Sequence, residues 1–390
     1  MFDTSTFENS QTTDFSRLCQ GFLFTSPWRS LATQGCYATL TAPIGDAASP
    51  LGEFQQRLRH AFRDAQQQGI ANPLLVGAIP FDVSQPAVLF IPETHQHFQR
   101  ADLLASLPPA SPLPTVLRRS AVPDHAAFTD MVTQAVAATQ RGELDKVVLS
   151  RLMDIVADRP VNTAALMQRI MAQNPTSYHF HLPLPQGGVL VGASPELLLR
   201  KQGDAFSSCP LAGSAARHAD AQRDRAAGES LMGSEKDRHE HRLVTAAMAE
   251  VLAPRSHTLQ VPEAPSLLTT STLWHLATQI DGVAPAEENA LSLACLLHPT
   301  PALSGFPQQP ARRLIAELEP FERQLFGGIV GWCDAEGNGE WVVTIRCGTV
   351  HGARVRLFAG AGIVAQSQPE SEWRETGVKL DTMLRAFGLQ

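Results

Sequence analysis

The stretch Asn338-Gly-Glu-Trp-Val-Val-Thr-Ile-Arg-Cys-Gly-Thr-Val350, followed by His351-Gly352 and then Ala353-Arg-Val-Arg-Leu-Phe-Ala359, reads as two extended runs around a two-residue turn. β-Branched residues crowd the first run, and Val342, Thr344 and Arg346 alternate with Val343 and Ile345 along it. Such alternation with a Gly at the reversal predicts an antiparallel hairpin over 338–350 and 353–359. Working outward, apolar runs at 74–81, 87–92 and 147–156 read as further strands, and 188–200 reads as a strand pair turning at Ala193-Ser194-Pro195. Helical spacing appears at 54–68, 124–141, 163–173, 234–252 and 370–386. Strands come in groups with helices between the groups, rather than in strict alternation, which predicts α+β over doubly wound α/β. The Leu-, Pro-, Ser- and Ala-rich stretch 102–123 reads as a linker or surface crossing, and residues 1–18 as a polar, frayed end.

Composition narrows the function classes. The 390 residues are 44% hydrophobic and 18% charged with a net charge of −7, which fits a globular enzyme and argues against nucleic acid or an anionic membrane as partner. No apolar run approaches the ~20 residues of a membrane span, and the first ten residues have no signal-peptide pattern. The expected location is the cytoplasm. The six cysteines lack Cys-x-x-Cys spacing, which predicts reduced, mostly buried thiols.

Lysine is scarce. Only Lys146, Lys201, Lys236 and Lys379 occur among 31 basic residues. Unlike a guanidinium, an ammonium can lose its proton when desolvated and act as a base. Lys146 lies in Asp-Lys-Val-Val-Leu-Ser-Arg (145–151) and Lys379 follows two glutamates on a predicted helix, whereas Lys201 and Lys236 read as solvent-facing.

That C-terminal helix spaces Glu372, Glu375 and Lys379 at i, i+3 and i+7, on one stripe, beside an apolar stripe of Trp373, Leu380, Leu384 and Phe387. A second helix starts at Ser234, with Asp237 as in a capping box, and repeats the carboxylate pair with Asp237 and Glu240. Its apolar stripe reads as Leu243, Val244, Ala247, Met248 and Val251. Paired carboxylates either face water beside Arg238 and Arg374 or offer hard oxygen donors suited to Mg²⁺. His239 and His241 flank Glu240 but point about 200° apart on a helix, so they cannot share a zinc ion.

Glu196, between Gly-Ala-Ser-Pro and Leu-Leu-Leu, is a carboxylate at the mouth of an apolar strand; buried, it would stay partly protonated and serve as a general acid. His275 in Leu-Trp-His-Leu-Ala-Thr reads as a core histidine or a site residue. Arg346 needs an anion if it faces inward. Glycine clusters at 211–214, 326–331 and 359–363 let backbone approach a ligand but lack nucleotide-binding spacing.

Taken in order, Asp-Lys-Val-Val-Leu-Ser-Arg, Gly-Ala-Ser-Pro-Glu, Pro-Leu-Ala-Gly-Ser, Ser-Glu-Lys-Asp-Arg-His-Glu-His, Leu-Trp-His-Leu-Ala-Thr, His-Pro-Thr-Pro-Ala-Leu-Ser-Gly, Phe-Gly-Gly-Ile-Val-Gly-Trp and Ala-Gly-Ala-Gly-Ile-Val resemble the chorismate-utilising enzymes. The match is densest over 124–388. Ser-Pro-Trp-Arg-Ser (26–30) and Gly-Ala-Ile-Pro-Phe-Asp (77–82) resemble the isochorismate synthases of catecholate siderophore pathways. The resemblance implies one intertwined α+β domain over 1–390, with two antiparallel sheets packed as a sandwich and helices outside. It thereby replaces the two-domain reading that the 102–123 stretch suggests.

The same resemblance implies roles. Glu240 and Glu375 would coordinate Mg²⁺, with Asp237 and Glu372 behind or beside them, and the metal would hold the ring carboxylate of chorismate. Gly213, Ser214, His275, Ala302, Leu303, Arg346, Gly360 and Lys379 form the expected substrate-binding set. Within it, Arg346 and amides near Gly360 meet the enolpyruvyl carboxylate, and Lys379, Ser214 and the Gly213 amide border the ring carboxylate. Lys146, at a position where ammonia-using members lack lysine, would take a proton from water for attack at C2 while Glu196 protonates the leaving C4 hydroxyl. A lysine with a reference pKa of ~10.4 needs roughly 4 kcal/mol of desolvation and like-charge effect for that task near pH 7. Ala212 argues against aminodeoxychorismate synthase, whose members carry a nucleophilic lysine there. Ala215-Ala216-Arg217 departs from the more usual Ala-Arg-Arg. A salicylate synthase and an idle chorismate-binding scaffold are the alternatives, and the Pro-Ala-Leu-Ser-Gly segment (301–305) favours release of isochorismate. The chain is expected to act as a monomer without a glutamine amidotransferase subunit.

Overall fold

The structure, a computed structural model, describes residues 15–107, 109 and 111–389. Two large sheets dominate it, and the strand pairings are antiparallel throughout the described residues. The first, of ten strands, runs Gly305–Phe306, Lys146–Ala157, Arg354–Ile363, Cys347–His351, Val189–Ser194, Tyr178–Pro183, Leu23–Thr25, Ser30–Gln34, Thr94–Phe98, with Val116–Val122 also paired to Lys146–Ala157. The second, of nine, has Leu197–Gln202, Gly339–Val343, Ile329–Asp334 and Leu74–Ile79 at its centre. One core cluster draws Phe180 and Leu190 from the first sheet, and Leu198, Trp332 and Trp341 from the second. The sheets therefore bury facing sides as a sandwich, with helices outside, as an α+β reading expects. A third sheet of three strands, Leu211–Ala216, Leu273–Ala277 and Ser266–Thr269, was not foreseen.

Most elements form where apolar spacing puts them. The helix Glu53–Gln67 buries Phe54, Leu58 and Phe62, and Asp124 caps the helix His125–Gln140 by accepting from the Ala127 amide at 3.0 Å. Two strand readings fail in the same way. The pair expected over 188–200 is not a hairpin: Val189–Ser194 lies in the first sheet and Leu197–Gln202 in the second. Likewise the arm expected over 338–350 is two strands, Gly339–Val343 in the second sheet and Cys347–His351 in the first. Only the turn at His351-Gly352 stands as read, joining Cys347–His351 to Arg354–Ile363.

Other expectations need correction. The stretch 102–123 is not a bare linker, because Val116–Val122 pairs with Lys146–Ala157 and the helix Arg100–Ser106 buries Leu103. Of the frayed end, residues 1–14 lie outside the described residues, while Phe15–Leu18 is helical and buries Phe15 and Leu18. The helix Glu235–Leu252 buries Glu240, His241, Val244, Met248 and Leu252, and Val251 is exposed. Its inner face is thus rotated toward the two polar residues, because it packs on a polar cavity and on the third sheet.

Candidate active site

Two residues of the expected site sit where the chain changes sheets. Pro195 and Glu196 join Ser194 to Leu197, and Thr344, Ile345 and Arg346 join Val343 to Cys347. The two crossings lie side by side: the Val343 amide donates to the Glu196 carbonyl at 3.2 Å, and the Ala193 amide to the Arg346 carbonyl at 3.0 Å. Arg346 adopts a φ of 49°, the left-handed region that an L-residue enters only at a cost, here where the backbone must turn out of one sheet into the other.

A small cavity of about 60 Å³ opens at these crossings. It is lined by Glu196, Gly213, Ser214, Glu240, His275, Ala302, Leu303, Arg346, Gly360, Glu375 and Lys379, so it collects the expected substrate-binding set together with the acid and both metal-ligand candidates. The first sheet brings Gly360 and the third brings Gly213, Ser214 and His275, the last two directly paired in register. Lys146, fully buried at the start of its strand, reaches the same place: its Nζ stands 2.9 Å from Glu240 Oε1. That approach is off the hydrogen-bonding direction, which leaves the ammonium donors unspent among the described residues.

Charge organises the rest. Lys379 Nζ lies 2.6 Å from Glu375 Oε1 and donates to the Gly360 carbonyl at 2.8 Å, while the Ser214 hydroxyl donates to Glu375 at 3.5 Å. Lys236 is not solvent-facing as the sequence suggested; its Nζ pairs at 3.0 Å with Glu372, whose second carboxylate oxygen is buried without a partner among the described residues. Burial works against the Lys236 charge, but Glu372, then Glu240 and Glu375, raise its pKa above the ordinary value. Lys201 is buried too, where its Nζ donates to the Gly203 carbonyl and burial lowers its pKa. Asp237 accepts from the Ser234 hydroxyl, and its amide in turn donates to that hydroxyl, so the cap forms without the reciprocal side-chain-to-backbone bond.

Burial sets the ionisation pattern. It pushes Glu196 up to about 7, against the opposing pull of the Leu211 amide, Arg346, Lys146 and Lys379. Burial also raises Glu372, helped by Glu375, and raises Asp237. Glu240 is the exception: burial alone would raise it, but Lys146, Lys236 and Lys379 hold it below the usual carboxylate range. His275 is held well below its ordinary value, first by burial and then by Arg346 and Lys379, so it is neutral, and its Nε2 has no partner among the described residues. Burial lowers Arg346 to about 10, leaving it a cation at neutral pH, and its guanidinium has no hydrogen-bonded protein partner among the described residues. A buried cation offset only through space, by Glu196 and Glu375, keeps its donors for an anion.

A metal fits only in part on protein donors. Glu240 and Glu375 line the cavity, and Glu372, which Glu375 helps keep partly protonated, has one oxygen without a partner among the described residues. Among the described residues no group of three or more His, Cys, Asp or Glu is placed to hold an ion by itself. Two carboxylates with the remaining positions left to water or a ligand's own oxygens is a pattern that suits Mg²⁺.

The chorismate-binding enzyme family model matches residues 82–388. The chain belongs to that family. It is 58% identical over 389 residues to isochorismate synthase EntC of Escherichia coli K12, covering 99% of this chain and 100% of that relative. Among solved structures, DhbC from Bacillus anthracis is similar at a TM-score of 0.89 and 38% identity, over 96% of this chain and 100% of that one. Anthranilate synthase component I from Streptococcus pneumoniae, 20% identical with a TM-score of 0.74 over 91% of this chain and 92% of its own, shares the fold.

In this chorismate-binding enzyme one contributor was missed by residue-level reading. A Cβ at Gly362 would stand 2.2 Å from Glu240 Oε1 and 3.0 Å from Lys146 Cε. Only glycine leaves room for that ion pair. The Ala-Gly-Ala-Gly-Ile cluster was the available signal, but glycine spacing alone does not say which member faces a side chain. The Gly360 carbonyl, for its part, accepts from Lys379 Nζ at 2.8 Å.

Proposed function

We propose that this chain converts chorismate to isochorismate, reversibly, and so supplies 2,3-dihydroxybenzoate and catecholate siderophore synthesis. Lys146 takes a proton from water as its oxygen bonds to C2 of the ring. The ring double bonds shift, the C4–O bond breaks, and Glu196 gives its proton to the departing hydroxyl, which leaves as water. One water enters and one leaves, so the change is an isomerisation. Arg346 pairs with the enolpyruvyl carboxylate, His275 offers a neutral imidazole at the cavity wall, and Ser214, Gly213 and Lys379 border the ring carboxylate. Glu240 and Glu375, backed by Asp237 and Glu372, would hold Mg²⁺, which supplies positive charge against that carboxylate when bound.

The observation that carries this reading is Glu196. A carboxyl pushed up to about 7 in a cavity it shares with Lys379 and an Arg346 that makes no protein hydrogen bond among the described residues is equipped to donate a proton at neutral pH. The whole chain is proposed to act as one intertwined unit, as a cytoplasmic monomer, with no amidotransferase subunit; no described helix is long and apolar enough to cross a membrane. Incubating the purified chain with chorismate and Mg²⁺, without glutamine, and separating the products by chromatography tests the reading. Isochorismate in equilibrium with chorismate is expected. Anthranilate on adding ammonia, or stoichiometric pyruvate, as the main product would overturn it.

A further inference from the structure

The outer edge of the Lys146 strand is covered by two different neighbours, with a gap between them. Gly305–Phe306 pairs with Val147 and Lys146, and Val116–Val122 takes over from Leu152 onward. In the gap, the Val148 carbonyl and the Ser150 amide have no strand beside them. Two side chains stand in for one. Arg323 Nη2 donates to the Val148 carbonyl at 2.7 Å, and Glu319 Oε1 accepts from the Ser150 amide at 2.7 Å. The same guanidinium donates through Nη1 to the Leu303 carbonyl at 2.7 Å and through Nε to Glu319 Oε2 at 2.8 Å. Both side chains are almost wholly buried, and Arg323 stacks on Phe81 with Cζ 4.4 Å from the ring centroid.

We propose that Arg323 and Glu319 are positioning residues that set the spacing between the Leu303 wall and the Lys146 strand. Val148 and Leu303 both line the small cavity, and Arg323 bridges their carbonyls from behind. A buried ion pair is poor evidence for stability, because apolar residues of similar volume often serve as well. What apolar residues cannot do is hold two carbonyls and one amide at fixed separation. A lysine cannot either, since its single ammonium lacks the planar fork that reaches two acceptors at once. The inference rests on the isochorismate synthase reading for its activity readout.

Arg323→Lys and the double variant Arg323→Met/Glu319→Leu separate positioning from folding. Wild type is assayed first: if it makes no isochorismate, the functional reading fails and the inference about spacing is not what failed. With wild type active, the double variant, which leaves two carbonyls and one amide without side-chain partners, should melt lower yet stay folded at the assay temperature, and lose about 100-fold in kcat/KM, the scale expected when reacting groups shift by about 1 Å. At least part of that loss should appear as a raised KM for chorismate. Arg323→Lys should fold and lose about tenfold. Rates are normalised to the folded fraction by circular dichroism. If either folded variant keeps kcat and KM within about threefold of wild type, or if activity falls only in step with the folded fraction, the pair is structural and the proposal is wrong.

Discussion

Two concavities lie on either side of Arg323, and they are opposites. The larger, a groove of about 990 Å³, is walled by Phe81, Val88, Leu184, Ile315, Phe321 and Leu325, with Asp82 and Arg312 paired to each other across 3.2 Å. The smaller, about 60 Å³, gathers three glutamates, an unpartnered arginine, a neutral histidine and a lysine. Volume alone would choose the groove. Its buried Arg323–Glu319 pair and its Asp82–Arg312 pair are matched within the groove, whereas the charges of the small cavity are buried and only partly paired, and partners still to be supplied are what a binding site keeps in reserve.

Substitutions grade that contrast. The largest effect is expected at the metal-ligand candidates: Glu240→Gln and Glu375→Gln each remove an anionic donor while keeping shape. Turnover should fall by about 10³-fold or more, with Mg²⁺ affinity by calorimetry falling in parallel and the circular dichroism spectrum unchanged. Near-wild-type activity in either, or activity that survives EDTA, would return these carboxylates to the status of the Asp82–Arg312 pair in the groove. Next comes Lys146→Arg, which keeps the charge but cannot accept a proton near pH 7. It should retain less than about a tenth of wild-type kcat, more than ~1.4 kcal/mol in barrier, and isochorismate formation between pH 6 and 9 measures it.

The acid gives a pH signature. In its proposed role as general acid Glu196 must be protonated, and with its pKa pushed up to about 7 the forward rate should fall as pH rises through that value. For stability the sign is the same. The native state prefers the protonated form, so the favourable contribution is complete below the ordinary carboxylate range near 4.5 and is lost as pH rises toward about 7. Glu196→Gln, which mimics the neutral form, should therefore melt higher than wild type at pH 8 and alike at pH 4 by calorimetry. The smallest effect is expected in the groove: His351→Ala and Gln186→Ala should leave kcat/KM within about twofold. A loss of tenfold there would show that the groove takes part after all.

Much of this contrast was legible in the sequence and part was not, for identifiable reasons. Periodicity located the helices that carry Glu240 and Glu375, because spacing at i, i+3 and i+7 is local information. It could not locate the two sheet crossings. The alternation of Val343, Thr344, Ile345 and Arg346 continues unbroken while the chain leaves one sheet for the other, and the φ of 49° that marks the bend has no counterpart in residue type. Lys236 was read as solvated for a similar reason, since its partner Glu372 lies 136 residues away. The candidates for acid, base and metal ligands emerged from ordered motifs rather than from any one of them. The strand-like pair Arg323–Glu319 left no motif at all.

The crossings carry a mechanical consequence. Glu196 and Arg346 ride on adjacent segments stitched to each other by backbone bonds, so shear of one sheet over the other would displace them together and preserve the gap between the proposed proton donor and the proposed carboxylate clamp. Lys146 rides on the interior of the first sheet alone. In the proposed reaction, such sliding would alter the reach from Lys146 to Glu196 while leaving the Glu196–Arg346 spacing unchanged, which ties the proposed base-to-acid distance to how tightly the two sheets pack.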